Sequence, residues 1–222
     1  MTEPIRVGVA DSGINPHHSH VGPVAGGVGL RFADGRLALD DAWQDLLGHG
    51  TAAAATIRGH APSAELYSIR IFRRRLEAHV EALVGAIDWA ASERLDLLNL
   101  SLGCGDPERE AELIQVCDRA AEAGLIIVAA SELAGRPSWP GALTGVIAVR
   151  SDEDLDAEEI RYEDGVFVAS PWARPLGELP RERNFKGVSL AVAHVTGIAA
   201  SRLGGGVRKT DLMAALAARA DL

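Results

Sequence analysis

Three residues in this 222-residue chain have the types and settings that nucleophilic acyl transfer requires. Ser189 follows a Gly-Val pair and opens a run of small and apolar residues through Ala200, so it is expected where a tight turn becomes a buried helix. A hydroxyl there is held on rigid backbone beside free N–H groups that favour developing negative charge. Such a serine, taken alone, is ordinarily a helix cap. Asp11 ends the apolar run at residues 6–10, and His49 lies in Gly48-His49-Gly50-Thr51 ahead of four alanines. A base to accept the serine proton and a carboxylate to hold the imidazole in one tautomer are the two groups that a nucleophilic serine needs.

Each of the three must be delivered by an element boundary. Residues 5–10 read as a buried parallel strand that ends in Asp11, followed by a glycine- and proline-containing loop over residues 12–41. His49 is expected in the first turn of a helix over residues 48–58. Residues 66–72, 95–100, 125–130, 145–149 and 165–169 read as further strands. Residues 76–94 carry Leu76, Val80, Leu83, Val84, Ile87 and Ala91 at helical spacing. A helix over residues 107–123 opens on Pro107 and acidic residues and closes at Gly124, and a last one covers residues 211–220.

The blocks Asp11-Ser12-Gly13, Gly48-His49-Gly50-Thr51 and Gly187-x-Ser189-x-Ala191-x-x-His194-Val195-x-Gly197 together resemble those of the subtilisin-like serine proteases, the subtilases. The resemblance runs through Ala61-Pro62-Ser63-Ala64, Asn99-Leu100-Ser101-Leu102-Gly103 and Pro140-Gly141-Ala142, and covers roughly residues 5–203. It implies an α/β fold, a three-layer sandwich around a mostly parallel central sheet, in one domain spanning residues 1–222. It also implies a serine endopeptidase in which Asp11, His49 and Ser189 form the catalytic triad. Ser101, Leu102 and Gly103, with Ala129, Ala130 and Ser131, are then expected to bind an extended peptide or protein substrate through backbone groups.

The largest departure from that pattern is Glu132, which stands where the family carries an oxyanion-stabilising Asn. An ionised carboxylate has no N–H to donate and repels a developing oxyanion, which leaves the backbone N–H groups of Glu132 and Ser189 for the task. Two readings follow: an active endopeptidase, dedicated to peptide processing, or a catalytically impaired, protease-like peptide-binding protein. His18-Ser19-His20 lacks the carboxylate that helps bind structural calcium in the family. The cluster of His17, His18 and His20 also lacks acids or cysteines at chelating spacing, so no metal or other cofactor is expected. His194, five residues beyond Ser189, is expected to be a packed helix histidine, and Cys117 to lie in the core.

Composition bounds the alternatives. A hydrophobic share of 47% with 24% charged residues fits one globular domain, and a net charge of -9 without a basic tract argues against nucleic acid as a partner. No run is long enough to span a membrane, and two cysteines imply no disulfide scaffold. Residues 1–6 show no targeting segment, so a cytoplasmic location is expected. Nothing in the pattern indicates an oligomeric state.

Overall fold

A computed structural model describes residues 3–133 and 135–220 of the chain. In chain order the elements are β1 (Arg6–Asp11), β2 (Gly26–Ala33), β3 (Arg36–Asp40), α1 (His49–His60), β4 (Glu65–Arg70), α2 (Val80–Ser92), β5 (Leu97–Leu100) and α3 (Glu110–Glu122). There follow β6 (Ile126–Ala130), β7 (Glu132–Leu133), β8 (Arg136–Pro137), β9 (Ile147–Ser151), β10 (Ile160–Glu163), β11 (Val166–Ala169), α4 (Val188–Gly204) and α5 (Leu212–Ala220).

Nine strands form one sheet in the order β10-β11-β9-β6-β5-β1-β4-β2-β3, parallel throughout except at its two antiparallel edge pairs. Alternation along β1 shows how the layers are built. Val7 and Val9 enter a core shared with α1, α4 and α5, whereas Ala10 enters the opposite core with α2 and α3. Asp11 has the parity of Val7 and Val9, so the pleat aims it at α1 and α4. β5 repeats the pattern, with Leu97 and Asn99 on that same face and Leu98 and Leu100 on the other.

Small residues decide how closely α1 and α4 approach. Ala53, Ala54 and Ala55 of α1 are buried, and α4 is buried continuously from Leu190 to Ala200, as expected of a central helix. Gly197 marks the contact: a Cβ there would sit 2.9 Å from the His60 side chain and 3.1 Å from the Ile57 backbone. The three buried alanines let the two helices close over the sheet.

Three expectations are corrected. The segment at 12–41 is not all loop but contains the β2–β3 hairpin. Its glycines resemble loop punctuation, but Gly27 and Gly29 lie where the Ser68 carbonyl and Ala42 carbonyl approach too closely for a side chain. The second correction is that α2 begins at Val80 rather than at Leu76, which is exposed. Thirdly, the short β7–β8 hairpin, with Glu132 opposite Pro137, follows β6 where no element was expected.

Candidate active site

Asp11 is completely buried at the end of β1, and His49 is the first residue of α1. His49 Nδ1 lies 2.8 and 2.9 Å from the two Asp11 carboxylate oxygens. The carboxylate therefore holds the proton on Nδ1 and leaves Nε2 free to act as a base. Burial pushes the His49 pKa down, but the hydrogen bond and charge of Asp11, joined by the charge of Asp45, outweigh it and raise the pKa above its ordinary value.

The loop before α1 is assembled around Asp45, which the sequence reading missed. One of its oxygens accepts hydrogen bonds from the Ser12 hydroxyl at 2.9 Å and from the N–H groups of Leu47 and Gly48. The other accepts from the Thr51 N–H at 2.9 Å and the Thr51 hydroxyl at 2.5 Å. An acid set here satisfies orphan N–H groups and complements the positive end of α1. The available signal was an acidic residue three positions before the Gly-His-Gly turn. Gly50 closes the arrangement by donating its N–H to Ser12 Oγ, and a Cβ on it would collide with the Gly13 carbonyl and touch Asp11.

Ser189 is the second residue of α4, as the sequence pattern predicts, two residues after Gly187 at φ 154°. Its hydroxyl donates to the Ser101 carbonyl at 3.3 Å, and no hydrogen bond joins it to His49 among the described residues. His49 nevertheless meets the same segment, with its ring edge-on to Phe185 at 5.6 Å between centroids. A chain of hydrogen bonds fixes Ser101 relative to α4: Thr196 Oγ1 donates to Asn99 Oδ1, and Asn99 Nδ2 donates to Ser101 Oγ.

The proposed substrate residues divide into free and buried sets. Cys104 pairs with Trp139 as an antiparallel bridge, while Leu102 and Gly103 make no backbone hydrogen bond among the described residues. Their N–H and C=O groups thus form a short unpaired edge, which an extended chain can complete. Ala129 and Ala130 are buried in β6, and Ser131 donates its N–H to Val149, so these three form the wall behind rather than an exposed edge. Ser138 is a further residue missed from the sequence. Its Oγ is buried without a hydrogen-bond partner among the described residues and so close to Gly103 that a Cβ there would overlap it.

Glu132 is exposed on the β7–β8 hairpin and makes no side-chain hydrogen bond or ion pair among the described residues. His194 is buried, as expected. His60 Nε2 lies 2.8 Å from His194 Nδ1, and His194 Nε2 lies 2.9 Å from the Trp172 carbonyl, which makes it the donor there. Cys117 is in the core, and burial pushes its thiol up to about 11.

Comparison with known proteins agrees with this architecture. The sequence profile of the subtilase family matches residues 3–160, a span that contains Asp11 and His49 and ends before Ser189. M-protease of Shouchella clausii (strain KSM-K16) is 30% identical over 211 residues, covering 88% of this chain and 53% of its own length. Subtilisin Savinase of Lederbergia lenta is 30% identical over 211 residues, covering 88% of this chain and 75% of its own. The chain therefore spans about half the length of some relatives it matches and three quarters of others. The solved structure of a cold adapted subtilisin-like serine proteinase superposes with a TM-score of 0.75 at 22% identity, covering 97% of this chain and 81% of that one.

Proposed function

This chain belongs to the subtilase family, and from that premise we propose that it is a serine endopeptidase that cleaves an extended peptide through an acyl-enzyme. The observation that carries the reading is the buried Asp11–His49 pair, with Nε2 left free beside the helix that bears Ser189. Ser189 turns from the Ser101 carbonyl toward His49 when substrate arrives. His49 Nε2 takes the hydroxyl proton as Oγ attacks the scissile carbonyl, Asp11 stabilises the imidazolium, and His49 then gives the proton to the leaving amine. Water repeats the cycle to release the acyl group. The substrate lies against the free edge of Leu102 and Gly103, ahead of the wall of Ala129, Ala130 and Ser131.

In the tetrahedral intermediate the oxyanion faces the first-turn N–H of Ser189, helped by the positive end of α4. The exposed Glu132 carboxylate supplies no donor, while its backbone N–H remains available. A dedicated peptide-processing role in the cytoplasm belongs to the same reading. Among the described residues no helix is long and apolar enough to cross a membrane.

Two observations favour a second reading, a peptide-binding protein with impaired turnover. The Ser189 hydroxyl is engaged by Ser101, and Glu132 stands where an amide donor is expected. Covalent labelling by a fluorophosphonate, read by intact mass, separates the two. The endopeptidase reading expects one adduct that disappears in Ser189→Ala and His49→Ala. A folded, unmodified chain that takes no adduct, either alone or with a peptide along Leu102 and Gly103, would reject the endopeptidase reading and leave the binding-protein reading.

A further inference from the structure

Next to His49 lies a cavity of about 490 Å³ that the proposed chemistry leaves unused. Its walls are Ala52 and Ala55 of α1, Leu46 from the loop before α1, and Leu176 and Phe185 from the segment before α4. Three of these are large apolar side chains left open to solvent, Leu46 at 72%, Leu176 at 36% and Phe185 at 38%. Exposed apolar groups gathered around one concavity mark a place that something apolar covers.

Arg174 lines the same cavity, and its charge is unanswered. Its backbone is anchored from both sides, with its N–H donating to Thr56 Oγ1 at 3.3 Å and its carbonyl accepting from Asn184 Nδ2 at 3.0 Å. The guanidinium makes one long bond, to the His20 carbonyl at 3.5 Å, and no acidic partner among the described residues. Asp45 also lines the cavity, but both of its oxygens are occupied by Ser12, Leu47, Gly48 and Thr51. An apolar pocket with an arginine on an anchored backbone, and without an acidic partner among the described residues, calls for a ligand that ends in a carboxylate.

The position identifies which part of a substrate arrives there, on the assumption that the endopeptidase reading above holds. The acyl portion lies along Leu102 and Gly103, beyond β5. The cavity takes no wall from β5 or β6 and abuts Gly48 and Phe185, the neighbours of the histidine that protonates the leaving amine. We propose that this cavity receives the first residues of the leaving fragment, an apolar side chain followed by a carboxylate that pairs with Arg174. The carboxylate belongs either to an acidic side chain or to the fragment's own C-terminus.

Binding measured on the Ser189→Ala chain tests this without turnover. Fluorescent peptides with a free N-terminus are compared by anisotropy: Leu-Glu-amide, Leu-Gln-amide, and Leu-Gly ending in either a free carboxylate or an amide. At least tenfold tighter binding of a carboxylate peptide than its uncharged counterpart is expected, and the peptide that shows it identifies the source. Arg174→Gln should abolish the preference while the apolar contribution persists, and Ala55→Leu, which fills the pocket, should weaken all four peptides. Equal binding of charged and uncharged peptides, or a preference that survives Arg174→Gln, would overturn the assignment. Fluorophosphonate labelling of the unmodified chain keeps the two readings apart. A carboxylate preference without labelling retains the pocket and rejects the nucleophile, whereas labelling without the preference does the reverse.

Discussion

The Ser189 hydroxyl donates its hydrogen bond to the Ser101 carbonyl, 3.3 Å away, and not to His49. The Asp11–His49 pair is assembled, while the proposed nucleophile rests on the segment proposed to bind substrate. Substrate that adds along Leu102 and Gly103 changes the surroundings of that carbonyl, which gives a physical route from binding to release of the hydroxyl. Reactivity should therefore rise when the segment is occupied. A short peptide covering only the acyl side of the cut should accelerate fluorophosphonate labelling in solution, and a peptide that binds and merely competes would contradict this coupling.

Labelling and turnover should fall as pH drops through the His49 pKa. That pKa is raised above the ordinary value near 6.5, so the acid limb of the kcat/KM profile should lie above 6.5. Asp11→Asn removes the raising charge and should move the limb to lower pH while reducing the rate. In stability the sign is opposite. A raised folded pKa contributes stabilisation that is complete below about 6.5 and is lost as pH rises through the folded value.

The His60–His194 pair should make folding sensitive to mild acid. Burial pushes His194 down to about 4, with nearby His60 adding to the shift and the Trp172 carbonyl and Glu158 opposing it. His60 is lowered chiefly by burial, with Arg219 adding and Glu158 opposing. The unfolded chain binds these protons first, so stability is full above about pH 6.5 and declines toward pH 4, by about 3 kcal/mol for His194 alone. Urea titrations at pH 7, 6 and 5 should show the decline, reduced in the His60→Gln, His194→Gln double variant. A flat series would show that the pair titrates elsewhere.

Gly50→Ala should damage the site more than an ordinary helix substitution, because its Cβ would meet the Gly13 carbonyl and the Asp11 side chain. Backbone must move, and His49 moves with it. We expect about 2 kcal/mol of destabilisation, in the range for overpacking, and at least a hundredfold slower labelling. Ala52→Gly, two residues on, should cost about 1 kcal/mol through helix propensity alone and leave the labelling rate nearly intact.

Asn99→Ala should cost about 1–3 kcal/mol, since it strands the buried Thr196 hydroxyl and frees Ser101. Thr196→Val in the same background should recover part of the loss by removing the stranded group. Denaturation of the two single variants and the double gives the coupling energy directly, and strict additivity would show that the chain of bonds contributes nothing.

Replacing Glu132 by Asn should quicken fluorophosphonate labelling by roughly tenfold, the equivalent of about 1.4 kcal/mol at the transition state. Unchanged labelling would mean that the exposed side chain stays away from the oxyanion.

The chain order of Asp11, His49 and Ser189 and their places at element boundaries are legible in local sequence. Apolar runs that end at Asp11 or begin after Gly187 announce where a strand stops and a buried helix starts. The sheet class follows from the same runs, and so does the burial of Cys117 and His194. Local pattern misreads glycine, however, because Gly27 answers to the Ser68 carbonyl of β4, and Gly29 to the Asp40 side chain and the Ala42 carbonyl, rather than to a turn of their own. The sequence by itself thus determined which residues could act and on which elements they ride. Tertiary structure alone decided that Asp45 gathers the loop beneath His49, that Ser189 points at Ser101 and that Arg174 has no acidic partner among the described residues. These depend on partners up to 154 residues apart, as in Arg174 and His20, and periodicity along a chain carries no information about which distant acceptor a donor will meet.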